Sequence, residues 1–197
     1  MSDKLSKKNS PIIEEFMGLN PEISQTAHIA SSAVISGAVR IGDDCSIWHN
    51  VTLRGDGNYI TIGKGTNIQD NSCVHIDSAR YPTIIGDYVT IGHSAIIHAC
   101  TLGDESFVGM GAIVMDGAII ESGAMVAAGA MVTPGKKVPS GELWAGRPAK
   151  KMRDLTEPEK ENLKISALRY IEFGRAYRLG EAGGPYSYFT TRPLPPR

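Results

Sequence analysis

An aliphatic residue recurs at every sixth position along most of this chain of 197 residues. Six residues are neither one nor two helical turns, so an α-helix cannot keep such a stripe on one face. A short strand followed by a tight turn does fit this period, and repetition of that unit builds a solenoid. The eighteen repeats open at Ile29, Ile35, Ile41, Ile47, Leu53, Ile62, Ile68, Val74, Ile85, Ile91, Ile97, Leu102, Val108, Val114, Ile120, Val126, Val132 and Val138.

Three repeats make one triangular coil, so the pattern predicts a mainly β fold, a left-handed parallel β-helix of about six coils. Its handedness is the known exception to the right-handed crossover rule. A C-terminal α-helix is predicted by the capping pair Thr156 and Glu159 and by a stop at Gly180. We expect a leader or N-terminal cap at 1–25, the β-helix at 26–141, an exit turn and helix at 142–180, and an irregular tail at 181–197.

Composition excludes several classes of protein. A hydrophobic content of 42% is enough to bury a core, and a formal charge of -1 indicates neither nucleic-acid nor polybasic membrane binding. No apolar run approaches the ~20 residues of a membrane span. The polar start lacks the apolar core of a signal peptide, so we expect a cytoplasmic protein. Three cysteines, an odd number, do not indicate a disulfide framework.

Arg54, His75 and His98 each follow a repeat-opening aliphatic residue. Strand side chains alternate, so the residue after an inward aliphatic residue points outward. Counting repeats places all three on one face, in successive coils about 4.8 Å apart. The two histidines are therefore expected to share one ion.

His93 belongs to a different column. It is the third residue of its repeat, near a corner, and the count stacks it above Asp70 and His49. A neighbouring copy, placed corner to face, would bring His93 to the other two histidines. Threefold closure suits a triangular prism, so the pattern predicts a homotrimer with sites between subunits.

Three convergent histidines match a catalytic zinc site with a fourth position for water. The metal, Zn²⁺ or alternatively Fe²⁺ or Co²⁺, would lower the pKa of that water and supply hydroxide as a nucleophile. Each histidine alone is more simply a polar surface residue. Together they favour a metal.

Other polar residues near these columns have two readings each. Arg54 and Asp56 form either a surface ion pair of little energetic value or a pair between subunits. Asp56 or Asp70 would orient Arg54 or a histidine ligand, as metal sites usually require. Asn67 and Gln69 would hydrogen-bond hydroxide or a substrate oxygen. Alternatively, Asn67 would stabilise a turn and Gln69 would be solvated. The functional role is favoured for Gln69 only.

These residues resemble the γ-class carbonic anhydrase family. The resemblance lies in Arg54-Gly55-Asp56, Asn67-Ile68-Gln69-Asp70, His75, His93 and His98, and spans roughly 26–180. It implies a trimer of left-handed β-helices that hydrates CO2 to bicarbonate at metal ions between subunits. It also implies that one subunit supplies His75 and His98 and the next supplies His93. Gln69 and Asn67 would orient hydroxide and CO2, while the remaining residues, Arg54, Asp56 and Asp70, would hold the interface and the site.

The chain departs from the family's archaeal prototype at its proton shuttles, which are glutamates. One of these places holds Gly57, and the insertion after His75 contains Asp77 but no glutamate. Slow, buffer-dependent hydration is therefore expected, with Asp77, Tyr170 or Tyr177 as substitutes. A glutamate at position 57 is expected to raise turnover.

Two other functions remain open. Hexapeptide-repeat acyltransferases and related thioesterases use coenzyme A, share this fold and have a similar exit turn, here Gly146-Arg147-Pro148-Ala149. They use a lone histidine base and do not need three convergent histidines. The third possibility is a non-catalytic scaffold that keeps a metal for structure.

Overall fold

The computed structural model describes residues 10–180 together with 184 and 185. Most of the tail predicted at 181–197, and the first nine residues of the leader, lie outside this part of the chain. The described residues contain twenty strands and one helix, numbered here in chain order and connected by turns. All pairings between consecutive coils are parallel, and the strands lie on three faces, called A, B and C below.

Face A consists of β3 (His28–Ile29), β5 (Ser46–Ile47), β7 (Asn67–Ile68), β10 (Thr90–Ile91), β13 (Phe107–Val108), β16 (Met125–Val126) and β19 (Glu142–Ala145). Face B consists of β1 (Ile12–Glu14), the first parts of β4 (Val34–Ile41) and β6 (Thr52–Ile62), β8 (Cys73–His75), β11 (Ile96–His98), β14 (Ile113–Val114) and β17 (Met131–Val132). Face C consists of β2 (Glu22–Ile23), the last parts of β4 and β6, β9 (Thr83–Ile85), β12 (Thr101–Leu102), β15 (Ile119–Ile120) and β18 (Lys137–Val138). An antiparallel strand, β20 (Lys150–Asp154), pairs with β19 and leads to α1 (Glu157–Leu179).

The repeat-opening aliphatic residues form the core. Those from Ile35 to Val138 are all buried, and Ile29 packs against the same cluster. Burial of each such side chain contributes about 1.5–3 kcal/mol, and the contribution recurs in every repeat. The predicted mainly β parallel solenoid with one C-terminal helix is confirmed.

The solenoid has about seven turns, one more than the predicted number of about six. The additional turn comes from the expected leader, in which β1 and β2 pair with β4. A terminal coil has a neighbour on one side only, and Ile12 and Ile13 are both exposed. No inward stripe is needed there, so this coil carries no six-residue period.

Helix α1 covers face A and begins and ends where predicted. Thr156 N donates to Glu159 Oε2 at 2.9 Å, and Gly180 has the left-handed φ of 73° that ends the helix. Its buried residues are Leu163, Ala167 and Gly174. No helix within residues 10–180 combines the length and apolar character needed to cross a membrane.

An aromatic cluster fastens the last turns of α1 to the solenoid. The His28 ring lies 5.2 Å from the Trp48 ring and 5.4 Å from the Tyr177 ring, centroid to centroid. Among the described residues, His28 Nε2 is buried without a hydrogen-bond partner. Burial lowers the pKa of His28, and the nearby His49 and Arg178 lower it further. His28 is therefore packed as a neutral ring.

Acid should loosen this end of the helix. Because the folded-state pKa of His28 is lowered, its contribution to stability is complete above the ordinary pKa of about 6.5. It is lost as the pH falls from there towards the lowered value. We expect His28→Phe to reduce the drop in melting temperature between neutral and mildly acidic pH, measured on metal-free protein. His49→Phe, at an exposed ring, should reduce the drop only slightly, because it removes one contribution to the lowered pKa of His28 and leaves the buried ring in place. A drop in His28→Phe equal to that of the parent would contradict the assignment.

Candidate metal centre

The predicted column on face B is present in the strand register. Arg54 on β6 pairs with His75 on β8, and His75 pairs with His98 on β11. Because parallel register partners project from the same side of a sheet, the three side chains stand in one outward row. The row places the two histidine rings side by side.

The facing nitrogens of these histidines have the spacing of two ligands on one ion. His75 Nδ1 and His98 Nε2 are 3.2 Å apart. Two ring nitrogens bound tetrahedrally to zinc, each at 2.0–2.1 Å, lie about 3.3 Å from each other. The pair therefore fits a metal ion with little movement of either ring.

Each of the two histidines is backed by a carboxylate on its far nitrogen. His75 Nε2 lies 2.8 Å from Asp56 Oδ1, and His98 Nδ1 contacts Asp116 Oδ1. Asp56 also contacts Arg54. Burial raises the pKa of Asp56, but hydrogen bonds from His75 and Arg54 outweigh it, so the pKa lies below its ordinary value.

Counting protons supports the fit of a cation. Ionised carboxylates only accept hydrogen bonds, so the far nitrogens of His75 and His98 must both carry hydrogen. The two facing nitrogens, His75 Nδ1 and His98 Nε2, then point lone pairs at each other. A third proton or a metal cation between them would bind these lone pairs and remove the repulsion. This donor set suits a cation.

His93 lies at the corner that follows β10, away from this row. Its Nδ1 is 2.9 Å from Asp70 Oδ2, and its side chain is 43% exposed, which leaves Nε2 to face outward partners. Within the described part of a single chain, no group of three or more His, Cys, Asp or Glu side chains is arranged to hold a metal. One chain therefore brings together His75 and His98 but not His93.

Asn67 and Gln69 lie on face A and its corner, partly beneath α1. Asn67 is fully buried, and its Nδ2 donates to Thr90 Oγ1 at 2.9 Å. Its Oδ1 accepts from Gln69 Nε2 at 3.1 Å, while Thr90 Oγ1 donates to Ser166 Oγ at 3.3 Å on the helix. In one chain, Asn67 links neighbouring coils and holds the amide of Gln69. Gln69 keeps its carbonyl oxygen for other contacts beside Asp70.

Sequence reasoning missed Asp116. It is the third residue of the repeat that opens at Val114, and Val114 is the register partner of Ile97. Extending the column count by one coil beyond His98 reaches Met115, and the carboxylate belongs to the residue that follows it.

The backbone at position 57 argues against the expected benefit of a glutamate there. Gly57 has a φ of +117°, a backbone conformation that residues other than glycine rarely adopt. A Cβ added there would lie 2.8 Å from Ser78 Cβ. Asp77 is also engaged, because its Oδ1 accepts from Ala79 N at 2.9 Å and Arg80 N at 2.8 Å. These bonds lower the pKa of Asp77 and make it a weaker proton acceptor.

Tyr170 and Tyr177, the other proposed shuttles, belong to the aromatic cluster around Trp48. Burial raises the pKa of Tyr170, with the charge of Asp70 adding to the effect. Both phenol rings pack on face A, whereas the histidine pair is on face B.

The six-residue period, the parallel coils and the paired histidines together define a hexapeptide-repeat protein with a candidate metal centre. A family model described as the hexapeptide repeat of succinyl-transferase matches residues 82–116 and 101–134. The chain is 55% identical over 150 residues to a probable carbonic anhydrase of Methanocaldococcus jannaschii. This match covers 76% of this chain and 94% of that protein. The chain belongs to the γ carbonic anhydrase family.

A plant relative and a solved structure are also similar to this chain. Gamma carbonic anhydrase 1, mitochondrial, of Arabidopsis thaliana is 48% identical over 162 residues, and the match covers 80% of this chain but only 59% of that protein. The chain thus spans about three fifths of the length of that plant relative. The crystal structure of a hexapeptide transferase family protein from Anaplasma phagocytophilum has a TM-score of 0.81 and 53% identity, and the match covers 84% of this chain and 98% of that one.

Proposed function

We propose that this protein catalyses the reversible hydration of CO2 to bicarbonate. The observation that carries the proposal is the pair His75 Nδ1 and His98 Nε2, 3.2 Å apart and each backed by a carboxylate. Membership of the γ carbonic anhydrase family supports the same reaction.

The metal would be held by His75 and His98 of one copy and His93 of the next. Zn²⁺ is the proposed ion, with Fe²⁺ or Co²⁺ as alternatives, since neutral imidazole suits zinc and iron and Co²⁺ lies between Fe²⁺ and Ni²⁺ in the order of metal affinities. When bound, such an ion lowers the pKa of water enough to supply hydroxide near neutral pH.

A homotrimer is supported by the surface beside the histidine row. Cys73, Ile96, Ile113 and Met131 are register partners and form a second outward column on face B. Cys73 is exposed and Ile96 is 44% exposed in the single chain. A continuous apolar column of this kind marks an interaction surface. Covering it with a second copy would bring a neighbouring corner, and therefore His93, towards the histidine pair.

The remaining site residues would act on orientation and assembly. Arg54 and Asp56 hold one side of His75, and Asp70 holds Nδ1 of His93 and so directs Nε2 towards the neighbouring copy. Gln69, anchored by Asn67, would present its carbonyl oxygen to hydroxide at the interface. A cytoplasmic location remains a prediction, which cell fractionation tests.

Two alanine variants test the metal assignment. We expect His98→Ala to lose most of the bound zinc and with it CO2 hydration, because one of two adjacent ligands is removed. His49→Ala should retain the zinc content of the parent, since His49 Nδ1 contacts Ser32 Oγ at 3.0 Å and not the histidine row. Elemental analysis and stopped-flow hydration report the two quantities. Equal zinc content in the parent and His98→Ala would overturn the assignment.

A coenzyme A-dependent acyltransferase is the second candidate, favoured by the description of the Anaplasma structure as a hexapeptide transferase family protein. In the exit turn, Arg147 donates to Gly129 O at 2.6 Å and to Gly111 O at 3.3 Å, so it braces successive coils. Acetyl-coenzyme A binding without CO2 hydration would favour this candidate. Full zinc occupancy with neither activity would favour a metal-binding scaffold.

A further inference from the structure

Asp116 lies at the turn that follows β14, one coil beyond the strand that carries His98. Its Oδ1 contacts His98 Nδ1, and its side chain is 37% exposed. Among the described residues it forms no ion pair with Lys or Arg. Asp56 differs, because it is shared between Arg54 and His75. The charge of Asp116 is therefore directed at a single ring.

This contact selects one state of the His98 ring. An ionised carboxylate only accepts, so the hydrogen must be on Nδ1 and the lone pair on Nε2. That lone pair faces His75 Nδ1, at 3.2 Å. Without Asp116, the 36% exposed ring of His98 would be free to rotate and to exchange tautomers.

We propose that Asp116 is a positioning residue that holds His98 in the Nδ1–H tautomer and aims its Nε2 at the metal position. The inference rests on the proposed function for the identity of the bound ion. The carboxylate touches neither metal nor substrate, so its effect is on ligand geometry. Mutation of a carboxylate in this position typically lowers metal affinity by 10–100-fold.

The first test is a zinc competition titration against a chromophoric chelator, with the full chain. We expect zinc affinity to fall about tenfold in Asp116→Asn, which keeps an acceptor oxygen without the charge, and up to about 100-fold in Asp116→Ala. Asp154→Asn is the matched control, because Asp154 is a surface carboxylate that contacts Lys151 at 2.8 Å and no histidine. It should bind zinc as the parent does. Unchanged affinity in both Asp116 variants would overturn the proposal.

The second test reads the ring itself. Nitrogen-15 NMR of the metal-free parent should show the Nδ1–H tautomer at His98, and Asp116→Ala should show a mixture. If Asp116 served only to stabilise the fold, melting temperature would fall while the tautomer stayed the same, and that result would also overturn the proposal.

These outcomes are separable from failure of the proposed function. A parent that binds zinc but does not hydrate CO2 removes the proposed reaction and leaves the affinity order of the Asp116 variants as a valid result. A parent that hydrates CO2, with Asp116 variants of parental zinc affinity, removes the role of Asp116 alone.

Discussion

Mixing two zinc-deficient variants, His93→Ala and His98→Ala, is expected to restore about one quarter of the parent's zinc sites and hydration activity. Each variant alone should form trimers in which every site lacks a ligand. The two must be mixed under conditions that allow subunits to exchange. Zinc content after dialysis and stopped-flow hydration measure the restoration.

The expected fraction follows from the geometry of a ring. The His93→Ala chain keeps His75 and His98, while the His98→Ala chain keeps His93. In a cyclic trimer that contains both chains, only one of the three interfaces joins an intact histidine pair to an intact His93. About three quarters of randomly assembled trimers are mixed, and one site in three within them gives about one quarter overall.

The matched control mixes His75→Ala with His98→Ala. Both substitutions damage the same face, so no arrangement of subunits rebuilds a complete site, and zinc should stay at the level of the separate variants. Restoration in this control would mean that the two histidines do not act together. No restoration in the first mixture, with subunit exchange demonstrated, would rule out a site shared between copies.

The solenoid and the histidine column were predictable because their spacing is local. A period of six fixes which residues point inward, and one insertion or deletion can be read directly from the interval between aliphatic residues. Arg54, His75 and His98 each directly follow a core residue, so their common face required only counting. The strand register agrees with that count.

Other features depend on contacts that no period encodes. The first coil pairs on one side only, so β1 and β2 needed no inward stripe and were not recognised. The bond between Asp116 and His98 joins side chains 18 positions apart in sequence, and its existence depends on how the corner after β14 turns. Position 57 looked open to a glutamate, but Ser78 lies over it through packing of the loop inserted after His75.

Hydration by the parent should be slow at low buffer concentration and should rise about tenfold or more on addition of a small buffer such as imidazole. Each turnover must move a proton from the metal position to solvent. Gly57 offers no side chain, and Asp77 is occupied by two backbone N–H groups that lower its pKa. Neither residue provides an efficient relay, so the buffer must carry the proton.

Two variants make this prediction specific to proton transfer. Asp77→Asn removes the only carboxylic acid among the candidate shuttles while keeping an acceptor for the turn, and it should leave the buffer dependence unchanged. Gly57→Glu should lower stability by about 1–3 kcal/mol, because the residue must adopt a φ that favours glycine, and it should not raise turnover at low buffer. A fast parent whose rate is independent of buffer would show that another group already exports the proton. A fall in the low-buffer rate of Asp77→Asn, with unchanged zinc content, would identify Asp77 as that group, since its carboxylate would then have to leave the turn during each cycle.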